Sequence, residues 1–184
     1  MHLAFAVDLP TPAHTNQKKW HPLPPSPQII QRAIQTVQEE AFLAPSTFKF
    51  YLLGKHTSQA LAWVYARGVE EESNIFKAIE AYEYWHKIPG HVLITCKRTG
   101  VPEAEAFLYE RTCTAAQKFV LSLWSEHIAT EWITADQVRA LDILQAAGIN
   151  PEEERLVGLV GYGYELQEAV LEPGFSEEYV SQLP

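Results

Sequence analysis

Hydrophobic positions along the chain recur with two different periods. After Ser26-Pro27, residues Ile30, Ala33, Ile34, Val37 and Ala41 fall at helical spacing, with proline at a first-turn position, and Ala44-Pro45 ends the stretch. From Thr47 to Leu53 the period becomes two. Phe48, Phe50 and Leu52 alternate against Lys49 and Tyr51, which predicts a strand buried on one face and closed by Gly54. A helix is expected around Ser58 to Ala66. Ser73 can cap another that carries Ile75, Ile79 and Tyr82 and stops at Pro89-Gly90. His91-Val92-Leu93-Ile94-Thr95-Cys96 has the β-branched content of an interior strand.

The longest periodic stretch, Glu103 to His127, aligns Leu108, Ala115, Phe119 and Leu123 on one stripe, with Ala116 and Val120 beside it. Its small residues permit close approach of another helix. Asp136 can cap a further helix with Val138, Leu141 and Leu144 inward and Gly148 as its C-cap glycine. Arg155 to Tyr164 reads as the last strand. Half of the 12 prolines lie between Pro10 and Pro27, so the opening segment is extended, while residues 165–184 are acidic and aperiodic. Strands far apart in sequence, mixed with helices and with few hairpin signals, give an α+β pattern built by long-range pairing.

Composition narrows the function classes. The 184 residues fit one domain, 1–184, with an extended Pro-rich segment 1–26 and a C-terminal tail 165–184. A net charge of −9 argues against a nucleic-acid partner. No apolar run is long enough to cross a bilayer, so no membrane partner is expected. Leu3 to Val7 is too short for a signal-peptide core and is stopped by Asp8. Cys96 and Cys113 lack CxxC spacing, which suits reduced thiols in a cytoplasmic protein.

Few residues propose a chemistry. The seven histidines form no helical His-x-x-x-His pair and no Cys/His cluster, so no metal site is expected. There is no Gly-x-Ser-x-Gly elbow. The runs Glu39-Glu40, Glu70-Glu71-Glu72 and Glu152-Glu153-Glu154 read as solvated faces or helix-dipole partners. Gly158, Gly161 and Gly163 lie inside an apolar strand with no helix after it, in the wrong order for a dinucleotide loop. Their use would be to let another backbone or a flat ligand come close. Trp132 and Thr134 could place main-chain groups and a hydroxyl at the edge of an aromatic ring, against the plainer reading that Trp132 fills core volume.

Several of these segments, in this order, resemble the second half of the nitroreductase family. Ala116-Gln117 with Lys118 matches that family's long helix. Trp132-Ile133-Thr134 matches its Trp-Ile-Thr segment, and Val157-Gly158 with Tyr162-Gly163 matches its glycine-bearing strand. Upstream, Lys87 to Cys96 is similar to the family's central strand, and Ala44-Pro45-Ser46 to the Ala-Pro-Ser before its first strand. The likeness runs from about residue 14 to residue 164. It implies a mostly antiparallel central sheet flanked by helices, a homodimer, and FMN that passes reducing equivalents from NAD(P)H to a small acceptor. By position it implies phosphate contacts at His14, Asn16 and Lys18, contacts near the ring or ribityl chain at Ser46 and Lys118, and Trp132, Ile133 and Thr134 over the ring. It implies no catalytic side chain, because the cofactor carries the chemistry.

The chain departs from that family's pattern in places that bear on the flavin. Lys18 replaces a phosphate-gripping arginine and cannot offer its two-pronged contact. The family's Asn-x-Gln-Pro-Trp turn is missing, since Ser46 runs straight into Thr47-Phe48-Lys49. Ala129 and Ala135 stand where glycines flank the Trp-Ile-Thr segment. Three readings stay open: an FMN-dependent oxidoreductase, a flavin-free descendant acting as a dimeric binding or scaffold protein, and an unrelated α+β domain.

Overall fold

Five helices and four strands are built from residues 18–40, 46–133 and 137–166, the parts described in a computed structural model. In chain order these are α1 (Pro27–Glu40), β1 (Phe48–Leu52), α2 (Lys55–Glu72), α3 (Ile75–Lys87), β2 (Gly90–Lys97), α4 (Pro102–Ser125), β3 (Ala129–Ile133), α5 (Gln137–Ala146) and β4 (Glu154–Gly163). The sheet runs β1-β2-β4-β3, and every neighbouring pair is antiparallel. The α+β expectation and the antiparallel sheet both hold.

β2 reads as an unbroken apolar run because helices cover both its faces. Val92, Ile94 and Cys96 join Ile30, Ala33 and Val37 of α1 and Ala115, Ala116 and Phe119 of α4 in one cluster. Leu93 turns the other way, into a second cluster with Leu61 and Ala62 of α2, Trp85 of α3 and Ile143 and Leu144 of α5. The alanines of α1 and α4 meet in the first cluster, as expected of small residues at a close helix contact. Phe119 is fully buried there, a side chain whose truncation to Ala costs about 3–5 kcal/mol in well-packed cores.

Two helices end in the same motif. After α5, Gly148 has φ +72° and Ile149 N–H donates to Leu144 C=O at 2.8 Å. After α4, His127 takes the same left-handed turn at φ +58°, and Ile128 N–H donates to Leu123 C=O at 3.0 Å. Both are Schellman caps that satisfy orphan carbonyls and tuck an isoleucine against the last turn.

The structure shifts several expectations. α3 is capped by Asn74, whose side chain accepts from Lys77 N–H at 3.0 Å, while Ser73 closes α2. α2 outruns its apolar signal because its ends are charged and exposed. Leu141 is 45% exposed, and Ile143 takes the inward place beside Leu144. Ala44-Pro45, Asp136 and Val138 lie outside the residues whose side chains are described.

Candidate functional site

β3 is the edge strand that carries the ring candidates. Trp132 pairs with Val160 and Ile133 with Leu159. The Trp132 indole lies over Gly158 of β4, where a Cβ would meet Trp132 Cζ2 at 2.3 Å. The other strand glycines are used in the same way. A Cβ at Gly90 would strike the Tyr162 ring, and one at Gly163 would strike Pro89 and Trp20. The close approach expected of these glycines is real, but the chain's own side chains make it. Trp132 remains 36% exposed, so it is neither core filler nor an open platform. Ile133 packs against the cluster under α2 and α5.

Lys18 sits on this same edge. Its Nζ donates to Thr130 C=O at 2.5 Å and lies 5.8 Å from the centre of the Trp20 ring. Trp20 forms an isolated bridge with Glu165, and with the bonds His21 N–H to Tyr164 C=O and Leu166 N–H to Lys19 C=O this ties residues 19–21 beside the chain that follows β4. Ser46 occupies the opposite edge, at the entrance to β1, where it lines a cleft of about 470 Å³ with Thr47, Lys49, Thr95 and Lys97. Lys118 is partly buried on α4. His14, Asn16 and Thr134 lie outside the described residues.

Lys18 and Ser46 therefore stand at opposite corners of the sheet. Two strands separate β1 from β3, and Thr130 and Phe48 lie at opposite ends of β2's register. With standard spacings that is about 14 Å across the sheet and about 20 Å along it. One small cofactor is not gripped by both residues from the same chain.

Three polar clusters have no counterpart in the sequence reading. On the α3 side of β3, Trp20 Nε1 donates to Tyr84 Oη at 3.3 Å, and Tyr84 donates to Glu131. Burial, then the bond to Glu131, pushes the Tyr84 phenol well above its ordinary range. At the start of β4, Glu154 is buried and accepts from Lys49 Nζ at 2.5 Å, Tyr51 Oη at 2.8 Å and Thr95 Oγ1 at 2.5 Å. This corrects the reading of residues 152–154 as a wholly solvated run. Burial works to raise the Glu154 pKa, but the bonds from Lys49, Thr95 and Tyr51 outweigh it and hold the carboxyl below its ordinary value. Parity could have flagged it: Lys49, Tyr51 and Thr95 share a sheet face.

The third cluster joins α2, α3 and β2. Trp85 Nε1 donates to Ser58 Oγ at 3.1 Å, and Ser58 Oγ lies 3.1 Å from His91 Nδ1. The His91 ring stacks on Trp85 at 4.6 Å, and its Nε2 has no hydrogen-bond partner among the described residues. Burial, with a smaller contribution from His86, lowers the His91 pKa to about 4. His91 is thus a neutral ring at pH 7. Burial likewise pushes the Cys96 thiol up to about 11, so it is no ready thiolate. No group of three or more His, Cys, Asp or Glu suited to a metal ion occurs among the described residues. None of the described helices is long and apolar enough to cross a membrane.

The fold is that of the nitroreductases. A nitroreductase-like family protein from Bacillus cereus superposes with a TM-score of 0.70 over 93% of this chain and 97% of its own, at 12% identity. A nitroreductase with bound FMN from Bacteroides fragilis gives 0.62 over 91% and 92%, at 18% identity. A BluB-like flavoprotein from Clostridium difficile gives 0.61 over 90% and 93%, also at 18% identity. No protein-family model matches the sequence, and no curated protein does.

Proposed function

We propose that this chain is an FMN-dependent oxidoreductase of the nitroreductase type, with the flavin held between two copies. The observation that carries the reading is the superposition across nearly the whole of both chains, joined by a neighbour whose structure contains FMN. The separation of Lys18 from Ser46 supports the two-copy arrangement, because a crevice between copies lets one chain offer Lys18 and the other Ser46. Trp132 would then bound the ring with its side chain and Ile133, whose side chain turns to the opposite face of β3, with its main chain, while Thr134, Lys118, His14 and Asn16 keep the roles the resemblance implies.

FMN, when bound, would supply hydride chemistry between NAD(P)H and a nitroaromatic, a quinone or a similar small acceptor. The chain's share is to bind, orient and exclude water. Lys18 offsets part of the phosphate charge, which is otherwise costly to bury. The bond from Trp124 Nε1 to Thr130 Oγ1, 2.9 Å, fixes the strand that carries Trp132. Titration of the purified protein with FMN, followed by NADH or NADPH and a quinone, tests the reading. Saturable flavin binding with turnover supports it. A colourless dimer that ignores FMN overturns it and leaves the flavin-free scaffold.

A further inference from the structure

A groove between α2 and α3 lies on the face away from α1 and α4. Its volume is about 560 Å³, within the range of small-molecule sites. One wall is aromatic: the Trp63 and Tyr82 rings meet at 4.5 Å with a tilt of 39°. Trp63 is 63% exposed, and Ile79, on the groove's floor one helical turn before Tyr82, is half exposed. A bare indole beside exposed isoleucine is a costly way to finish two helices unless something covers it.

The rim carries the charge that selects an occupant. Glu70 and Glu83 line the groove, and neither takes part in an ion pair among the described residues. The one basic residue on the rim, Arg67, is already paired with Asp142 at 3.1 Å. Aromatic faces attract cations through the ring quadrupole, and two carboxylates around an apolar floor add a second, longer-ranged pull. From this geometry we infer that the groove binds a hydrophobic organic cation, a ring- or alkyl-bearing amine or quaternary ammonium. The positive head lies against the Trp63 face beside Glu83, which follows Tyr82 on α3, with Glu70 about two helical turns along α2 adding a longer-ranged pull, and the apolar body lies on Ile79. This site is separate from the β3 edge and does not depend on flavin binding.

Calorimetric titration of the full chain with benzyltrimethylammonium, and with benzyl alcohol as the uncharged ring, tests the inference. The cation is expected to bind with one-to-one stoichiometry and about tenfold more tightly than the alcohol. Trp63→Ala and the double change Glu70→Gln/Glu83→Gln are expected to weaken it about five- to tenfold each, with circular dichroism unchanged. All three side chains are on the surface, so folding should survive. Equal affinity for the alcohol, undiminished affinity in Trp63→Ala, or no saturable binding would overturn the inference. So would conversion of a dimer to a monomer by Trp63→Ala, which would assign the groove to a second copy of this chain.

Discussion

Lowering the pH should destabilise this protein through His91 before its carboxylates titrate. The ring is 3% exposed, its Nε2 has no partner among the described residues, and its pKa in the fold is about 4, against 6.5 for a free histidine. The unfolded chain therefore binds the proton more readily. A depressed histidine contributes stability that is fully present above 6.5 and is lost as the pH falls toward 4. Linkage gives a loss of about 2 kcal/mol by pH 5 and about 3 kcal/mol by pH 4. The stacked Trp85 face, 4.6 Å away, offers a protonated ring some compensation, so these are upper figures. Urea unfolding of the native chain and of His91→Gln, at pH 7.5 and pH 5, isolates the effect. Gln can keep a bond to Ser58 but does not titrate. Native stability should fall by about 2 kcal/mol more than the variant's over that interval. Parallel losses would refute the assignment of a neutral, buried His91.

Other expectations follow from single contacts. Gly158→Ala forces a methyl into the Trp132 indole and should cost about 1–3 kcal/mol in thermal or urea unfolding, with Trp132→Ala in the same chain relieving much of it; an unperturbed midpoint would place Trp132 elsewhere. Glu154→Gln removes the charge that holds Lys49, Tyr51 and Thr95 together and should cost about 1–3 kcal/mol by the same assay. His127→Gly relieves a left-handed residue at the end of α4 and should gain about 0.5–1 kcal/mol, read as a raised unfolding midpoint. If FMN binds, Lys18→Ala should weaken it about tenfold in a fluorescence titration, the usual order for one charged hydrogen bond; an unchanged affinity would remove Lys18 from the phosphate end.

Much of the fold was legible because apolar period and punctuation agree. Pro27, Gly54, Pro89-Gly90 and Gly148 mark element ends, and Val92 to Cys96 run apolar as burial on both faces requires; in β1 the alternation holds at Phe48 and Phe50 but fails at Leu52, which is 46% exposed, while Tyr51 packs under α2. What escaped depends on three-dimensional neighbours. Glu154 looked solvated because it follows two glutamates, yet a strand start puts it beneath Lys49, Tyr51 and Thr95. Gly158, Gly161 and Gly163 advertised close approach without naming the visitor, which proved to be Trp132, Ile88, Pro89 and Trp20. The candidate site was legible as a set of residues and not as a place. Periodicity assigns Lys18, Ser46 and Trp132 to their segments, while only the β1-β2-β4-β3 order reveals that the first two occupy opposite corners.

The central claim is that two copies of this fold still hold a flavin. The most direct measurement is a visible absorbance spectrum of the purified protein, taken before and after incubation with FMN and gel filtration, with its mass read by light scattering. Yellow protein that elutes at twice 20.8 kDa with flavin bound in each chain is the predicted result. Protein that remains colourless after incubation, or a flavin-bound monomer, would contradict it.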